Sequence, residues 1–173
     1  MTGAATQFEE TRDDFIAQWG VMGTQWGINR TMAQIHALLI TAVEPLSTDE
    51  VMSALDISRG NAHTNLKELV NWGLLRIVTK KGERREFFEA EKDVWEMFRR
   101  ILSERKRREL DPALAVLTRC KEETSSLKSA EAKAFNKQMS ELEEFLTFAT
   151  KMSVRASSMP QNKAMQLAMK ILG

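Results

Sequence analysis

The sequence has no tyrosine, one cysteine and two histidines among its 173 residues. A single cysteine, Cys120, excludes a disulfide within the chain, and together with so few histidines it argues against a dedicated zinc site. The net charge of +1 excludes a uniformly basic protein that coats nucleic acid by charge alone. Any basic binding site is therefore confined to one part of the chain.

Long apolar runs are also missing. No stretch approaches the ~20 residues that a membrane span needs, and no charged start followed by an apolar core marks a signal peptide. We therefore expect a cytoplasmic protein. With 43% hydrophobic and 28% charged residues, the chain has the composition of a folded domain with a core of its own.

Two amphipathic helices are predicted at the N-terminal end. Apolar residues recur at spacings of three and four over residues 6–26, and again over residues 29–44. Gly20, Gly23 and Gly27 interrupt the first helix. Because glycine disfavours a helix interior, these positions indicate either a break or a close approach by another backbone.

Two short helices follow, joined by a tight turn. Ser47 and Glu50 have the spacing of a capping box at the start of the first, and Ser58 is the predicted N-cap of the second. The second helix is expected to run to Trp72 and to stop at Gly73. The residues predicted on its outer faces are Gly60, Asn61, Thr64, Asn65, Lys67 and Glu68, with His63 on the flank.

A β-hairpin with a basic tip is predicted next. Residues 74–79 and 84–90 are rich in Ile, Val and Phe, and residues 80–83 between them contain the glycine that a tight turn needs. Residues 58–110 carry 14 Lys and Arg against 9 Asp and Glu, whereas the whole chain has a net charge of only +1. The positive charge is therefore concentrated on the helix and the hairpin, and the rest of the chain is net acidic.

Helices are predicted again beyond the hairpin. An amphipathic helix over residues 94–102 ends in the basic run 105–108, a further helix restarts at Asp111-Pro112, and residues 121–129 are expected to form a loop. A coiled-coil seam follows and ends at residues 157–160, before a last short helix over 161–172. The seam residues, which we expect to mediate dimerisation, are Phe135, Met139, Leu142, Leu146 and Ala149. Alternatively, these helices fold back and complete a monomeric core.

Helix, turn, helix and hairpin, in this order, are the elements of a winged helix-turn-helix. Its second helix enters the DNA major groove, and its hairpin reaches a flanking phosphate or the minor groove. Side chains that can pair with base edges make candidate base readers of Arg59, Asn61, His63, Thr64 and Asn65. The candidate phosphate ligands are Ser58 with the first helix amides, Lys67, Lys80, Lys81, Arg84 and Arg85. The alternative is an ordinary solvated helix face.

The predicted fold class is mainly α with a small β-hairpin wing. Residues 1–44 would form N-terminal helices that serve dimerisation and the winged-helix core. Residues 45–91 would form the winged helix-turn-helix, and residues 92–173 a C-terminal helical dimerisation region.

Residues 45–114 resemble the MarR superfamily of winged-helix transcription regulators, and within it the GbsR-type branch. ISRGNAHTNLKELVNWGLL resembles the family's recognition helix, KKGERREFFEAE resembles its wing, and the upstream WGVMGTQWGINRTMAQIHALL also resembles that branch. Two departures are Glu83, where the wing often carries aspartate, and Phe87-Phe88, where a tyrosine pair is common. The resemblance implies a homodimer that binds an operator with two half-sites, and characterised members of the branch repress compatible-solute genes and respond to choline.

Other residues suggest an effector or a sensor. Trp19 and Trp26 could line one wall of an aromatic cage for a quaternary ammonium ligand, although large aromatics at helical spacing also pack in cores and interfaces. Cys120 could be a thiol sensor or a structural thiol, and it has no partner cysteine in its own chain. His36 lies among apolar residues and is interpreted as a packed or half-exposed histidine rather than a ligand.

The combined interpretation is a sequence-specific DNA-binding transcription regulator. Its expected partners are double-stranded DNA, a second copy of the chain and a small effector, and no cofactor or metal is expected. A glycine-rich phosphate loop, metal-ligand spacing and a Ser-His-Asp arrangement are all missing, so we do not expect an enzyme. The alternative is a winged-helix protein-interaction module without sequence-specific DNA binding.

Overall fold

The computed structural model describes residues 2–158. The chain divides into two compact units, Met1–Met97 and Phe98–Gly173. The short helix predicted over residues 161–172 lies outside the described residues. Within the described part, no helix is long and apolar enough to cross a membrane.

The described part of the first unit contains four helices before the hairpin, and all but the first begin at a residue whose side chain caps the helix. They are α1 (Thr2–Gln25), α2 (Arg30–Thr41), α3 (Thr48–Leu55) and α4 (Arg59–Asn71). The Asn29 side chain accepts a hydrogen bond from an amide of α2, and Ser58 does the same for α4. Ser47 and Glu50 form both hydrogen bonds of a capping box at α3. The predicted capping box is therefore confirmed.

The glycines of α1 mark a close approach of α2 and not a break. α1 continues through Gly20 and Gly23, which are both buried. A Cβ atom on Gly23 would lie 2.5 Å from Cβ of Ala33, and one on Gly20 would lie 2.6 Å from Cγ of Gln34. Both helices can therefore pack closely only because these positions have no side chain. The chain leaves α1 at Gly27, whose φ of 75° is in the left-handed region.

A small antiparallel sheet has the order β1-β3-β2, with β1 at Leu46–Ser47, β2 at Leu75–Val78 and β3 at Phe87–Ala90. β1 pairs Leu46 with Phe88, which is also the partner of Ile77 in β2. Strand β1 was not predicted from the sequence, because it is only two residues long and its second residue, Ser47, is also the N-cap of α3. The hairpin strands are shorter than predicted, since residues 84–86 belong to the wing turn.

The core of the first unit is built around α2. Ile35, Leu39, Leu66 and Leu69 are fully buried between α2 and α4. His36, also on α2, is only 5% exposed, and its Nε2 atom has no hydrogen-bond partner within the described residues. Burial lowers the pKa of His36 to about 4. The histidine is thus packed in the core, as the apolar pattern of α2 indicates.

Helix α5 (Val94–Arg105) continues without a break into a π-helix at Lys106–Leu110 and then into α6 (Asp111–Thr124). The basic run therefore does not end the helix. The carboxylate of Glu104 is buried and accepts hydrogen bonds from Arg107 and Arg108, which lower its pKa. Lys106 pairs with Asp111 at 2.7 Å, a spacing of five residues that suits a π-helical turn.

α6 packs against α7 (Ala130–Ser158). The predicted loop over 121–129 is too long, because α6 runs on to Thr124 and leaves only residues 125–129 outside the helices. Polar bonds join the two helices: Lys121 and Thr118 donate to Glu143, and Asn136 donates to the Lys121 carbonyl at 2.6 Å. These bonds, first that from Lys121, lower the pKa of Glu143.

Candidate nucleic-acid interface

The start of α4 presents polar side chains on an ordered backbone. The Ser58 hydroxyl accepts a hydrogen bond from the Asn61 amide at 3.3 Å, which fixes the first turn. Arg59 and Asn61 are exposed, and the Arg59 guanidinium donates to the Asp49 carboxylate of α3. Asp49 is a contact that the sequence did not reveal. A capped helix N-terminus with exposed amides and a basic side chain can accept an anionic phosphate.

Asn65 does not lie on the outer face of α4, so its predicted orientation is wrong. It is only 7% exposed, and its amide nitrogen donates to the Asn61 main-chain oxygen at 2.9 Å and to Asn61 Oδ1 at 2.7 Å. A short polar side chain in a helix can bond back to the preceding turn in this way, which hydropathy patterns do not distinguish from solvation. Asn65 thus contacts Asn61 instead of solvent.

Two of the outward residues of α4, His63 and Lys67, line a groove beside the hairpin. His63, Thr64 and Lys67 are exposed as expected. The groove has a volume of about 280 Å³, and the hairpin contributes Ile77, Glu86 and Phe88 to its lining, opposite His63 and Lys67 of α4. α4 and the hairpin therefore form adjoining parts of one surface.

The tip of the hairpin is basic, but its cations differ in their surroundings. The tip turns at Gly82, whose φ is 85°, and Lys81 beside it is exposed. Lys80 lies with Nζ 4.4 Å from the Phe87 ring centroid and 3.4 Å from the Pro45 carbonyl oxygen. Arg85 donates to Glu83 at 2.9 Å. Arg84 is exposed.

Electrostatic interactions connect the hairpin with the start of α3. The Glu50 pKa is lowered first by hydrogen bonds from Ser47 and further by the charges of Arg85 and Lys80. The Arg85 pKa is raised mainly by Glu83, with smaller contributions from Glu50 and Asp49. Since Asp49 also binds Arg59, the first turns of α3 and α4 and the base of the wing share one charged surface.

The residues of the predicted seam on α7 differ in their exposure. Phe135 and Leu142 are exposed, whereas Met139, Leu146 and Ala149 are half-buried. Helical spacing places Met139 and Leu146 beside Asn136 and Glu143, which bond to α6. Exposed apolar side chains that the sequence pattern did not select are Phe145 (64%), Phe148 (62%) and Met152.

The effector and sensor candidates lie in different units. Trp19 is half-buried, and its ring centroid lies 5.4 Å from that of Phe15 in a tilted arrangement. Trp26 is 60% exposed just beyond the end of α1. Cys120 is half-buried on α6. These contacts agree with packing at Trp19 and leave the aromatic cage a prediction.

Helices α3 and α4, with the hairpin of β2 and β3 beside them, define a winged helix-turn-helix domain. Residues 26–86 match the model of the MarR family. A solved structure described as a transcriptional regulator has a similar fold, with a TM-score of 0.66 and 17% sequence identity over 85% of this chain and 95% of that one. No curated protein matches the sequence.

Proposed function

We propose that this protein is a sequence-specific DNA-binding transcription regulator that acts as a cytoplasmic homodimeric repressor. The observation that carries the proposal is the surface that α4 shares with the wing: both line one groove, and Arg59 at the capped start of α4 binds Asp49 of α3. The match of residues 26–86 to the MarR family supports it. The fold of the similar solved regulator supports it as well.

In this proposal α4 enters the major groove and the wing contacts the flanking backbone. Arg59, Asn61, His63 and Thr64 read base edges, because they are exposed along one helix. Phosphates are held by the Ser58 cap with the α4 amides, and by charged side chains of the helix and the wing. These side chains are Lys67, Lys80, Lys81, Arg84 and Arg85.

In this proposal, helix α7 of the second unit forms the dimer interface. α7 exposes Phe135, Leu142, Phe145 and Met152. Apolar residues at this density on one helix are typical of a protein-protein contact. A two-fold dimer would place two copies of α4 about one DNA turn, ~34 Å, apart, so that the operator has two half-sites.

A small effector, with choline as the first candidate, belongs to the same proposal. It rests on the resemblance to the GbsR-type branch and on the exposed ring of Trp26, since quaternary ammonium ions bind to aromatic faces. Such a ligand would change the affinity of the dimer for its operator.

The decisive experiment measures binding of the purified protein to the DNA upstream of its own gene and to random DNA of equal length, at two salt concentrations. We expect selective binding that weakens with salt, with a slope near −0.9 per phosphate neutralised. Binding that ignores both salt and sequence would contradict the proposal. It would favour the alternative function, a winged-helix module that binds another protein.

A further inference from the structure

Two asparagines one turn apart on α4 are joined by a part-buried contact. Asn65, which is only 7% exposed, donates through Nδ2 to the Asn61 carbonyl oxygen at 2.9 Å and to Asn61 Oδ1 at 2.7 Å. Asn61 itself is exposed at the end of α4 that we propose enters the DNA groove. A buried side chain thus contacts an exposed one.

The chemistry of these contacts fixes which end of each amide is nitrogen. A main-chain carbonyl only accepts, so the Asn65 atom that contacts it must be the NH₂ group. The same NH₂ group meets the Asn61 side chain, which must therefore present its oxygen. The reverse orientation of Asn61 would place two NH₂ donors against each other at a part-buried contact and would lose the hydrogen bond between the two side chains.

We infer that Asn65 is a positioning residue that turns the amide nitrogen of Asn61 outward, so that Asn61 reads hydrogen-bond acceptors on a base edge. Within residues 2–158, no protein group accepts a hydrogen bond from Asn61 Nδ2. This inference rests on the proposed function. It assigns to Asn65 an indirect role in place of the direct base contact predicted from the sequence.

The consequence is selection against one base. In the major groove adenine, guanine and thymine each offer an acceptor, whereas cytosine offers only its N4 donor. An outward amide nitrogen therefore tolerates the first three bases and is repelled by cytosine. We expect cytosine at the contacted position to weaken binding about tenfold, within the range of single base contacts.

The test starts from a site that the wild-type protein selects from random duplexes. The base contacted by Asn61 is the one whose preference disappears in Asn61→Ala, and all four bases are then compared at that position. In Asn65→Ala and Asn65→Leu the Asn61 amide can rotate, so we expect the tenfold discrimination against cytosine to fall below about twofold. Asn61→Asp, which can only accept, should favour the bases with an amine donor, cytosine and adenine, over guanine and thymine.

A double-mutant cycle separates positioning from a general structural role. In the Asn61→Ala background, Asn65→Ala should leave the cytosine ratio unchanged, because the group that it positions is already absent. Asn71→Ala, at an exposed asparagine near the other end of α4, is the matched control and should keep the full discrimination. If Asn65→Ala weakens all four duplexes equally and keeps the cytosine ratio, the inference is overturned.

A second measurement needs no variant. In the NMR spectrum of the wild-type protein, the side-chain NH₂ protons of Asn65 should exchange slowly with D₂O and those of Asn61 rapidly. Equal rates would overturn the inference even if the protein binds DNA selectively. Failure of the wild type to select any site would instead overturn the proposed function, and this assignment with it.

Discussion

The two units of the protein bury different kinds of side chain. The first has an apolar core that includes Ile35, Leu39, Leu66 and Leu69. Among the described residues of the second unit, no apolar side chain is buried, and the one buried side chain is the charged Glu104. The first unit thus has a core of its own, and the second has apolar surface without one.

This difference indicates that the two units serve different purposes. A unit with a complete core can hold exposed polar side chains in a defined geometry, as α4 does for Arg59 and Asn61. On α7, the exposed side chains of Phe145 and Phe148 contribute to stability only when another surface covers them. We therefore expect substitutions in the second unit to change assembly, and substitutions in the first to change folding or DNA recognition.

The largest effect is expected for Leu142→Glu on α7. Leu142 is 39% exposed, so covering it adds about 0.6–1.2 kcal/mol in each of the two copies of a two-fold dimer. The glutamate would also bring an unpaired charge into each half of the interface, so dimerisation should weaken by about 3–6 kcal/mol in total. Light scattering over a range of concentrations would show a shift to monomer. Lys137→Ala, an exposed position on the same helix, is the control. An unchanged molecular mass would mean that Leu142 does not lie in the dimer interface.

The pH dependence of stability tests the burial of His36 in the core of the first unit. Its pKa of about 4 in the folded protein lies below the ordinary 6.5, so the unfolded chain binds the proton more readily. Neutral, buried His36 therefore contributes stability that is fully present above pH 6.5. This stability is lost as the pH falls toward 4, a change of about 3 kcal/mol in the free energy of unfolding.

Urea unfolding between pH 7 and pH 4 would measure the slope of the free energy of unfolding against pH in the wild type and in two variants. His36→Leu should remove most of the histidine contribution. His63→Gln, at the other histidine of the chain, should leave it unchanged because His63 is exposed. A slope that persists in His36→Leu would assign the pH dependence to carboxylates instead.

Lys81→Ala addresses the wing separately from α4. The exposed lysine at the wing tip is proposed to contact a phosphate, so its loss should weaken binding to operator and random DNA alike. The slope of log K against log salt should become shallower by about 0.9. Lys133→Ala on α7 removes the same charge from the second unit and should leave the slope unchanged. A loss restricted to the operator would make Lys81 a base reader.

The sequence predicted most of the first unit because its local signals agree with its packing. The capping box of Ser47 and Glu50 marks the start of α3 without any knowledge of tertiary structure. Gly20 and Gly23 left two interpretations open, and only the positions of Gln34 and Ala33 opposite them decide between a break and a close approach.

Which side chains of α4 and α7 turn toward the protein could not be predicted in the same way. The pattern of α4 placed Asn65 outside, since asparagine is usually exposed, but its bond to Asn61 holds it inside. On α7 the predicted seam included Met139 and Leu146. The neighbouring bonds of Asn136 and Glu143 to α6 turn that side toward α6, and this register depends on contacts between helices.

The smallest predicted effect concerns the ion pair between Asp49 and Arg59. Both side chains are more than half exposed, so the pair should contribute no more than about 1 kcal/mol to folding. Asp49→Asn removes a negative charge from the proposed DNA surface and releases Arg59, and we expect operator binding to tighten by up to about fivefold. Binding titrations at low and high salt would measure the gain, which should shrink with salt.

Asp56→Asn is the matched control, because it removes the same charge from the C-terminal cap of the same helix, where asparagine also tolerates the left-handed backbone. A gain confined to Asp49→Asn would mean that the carboxylate restrains Arg59 until DNA replaces it. Equal gains from both variants would mean that Arg59 is not restrained, and that only the total charge of the first unit matters to its encounter with DNA.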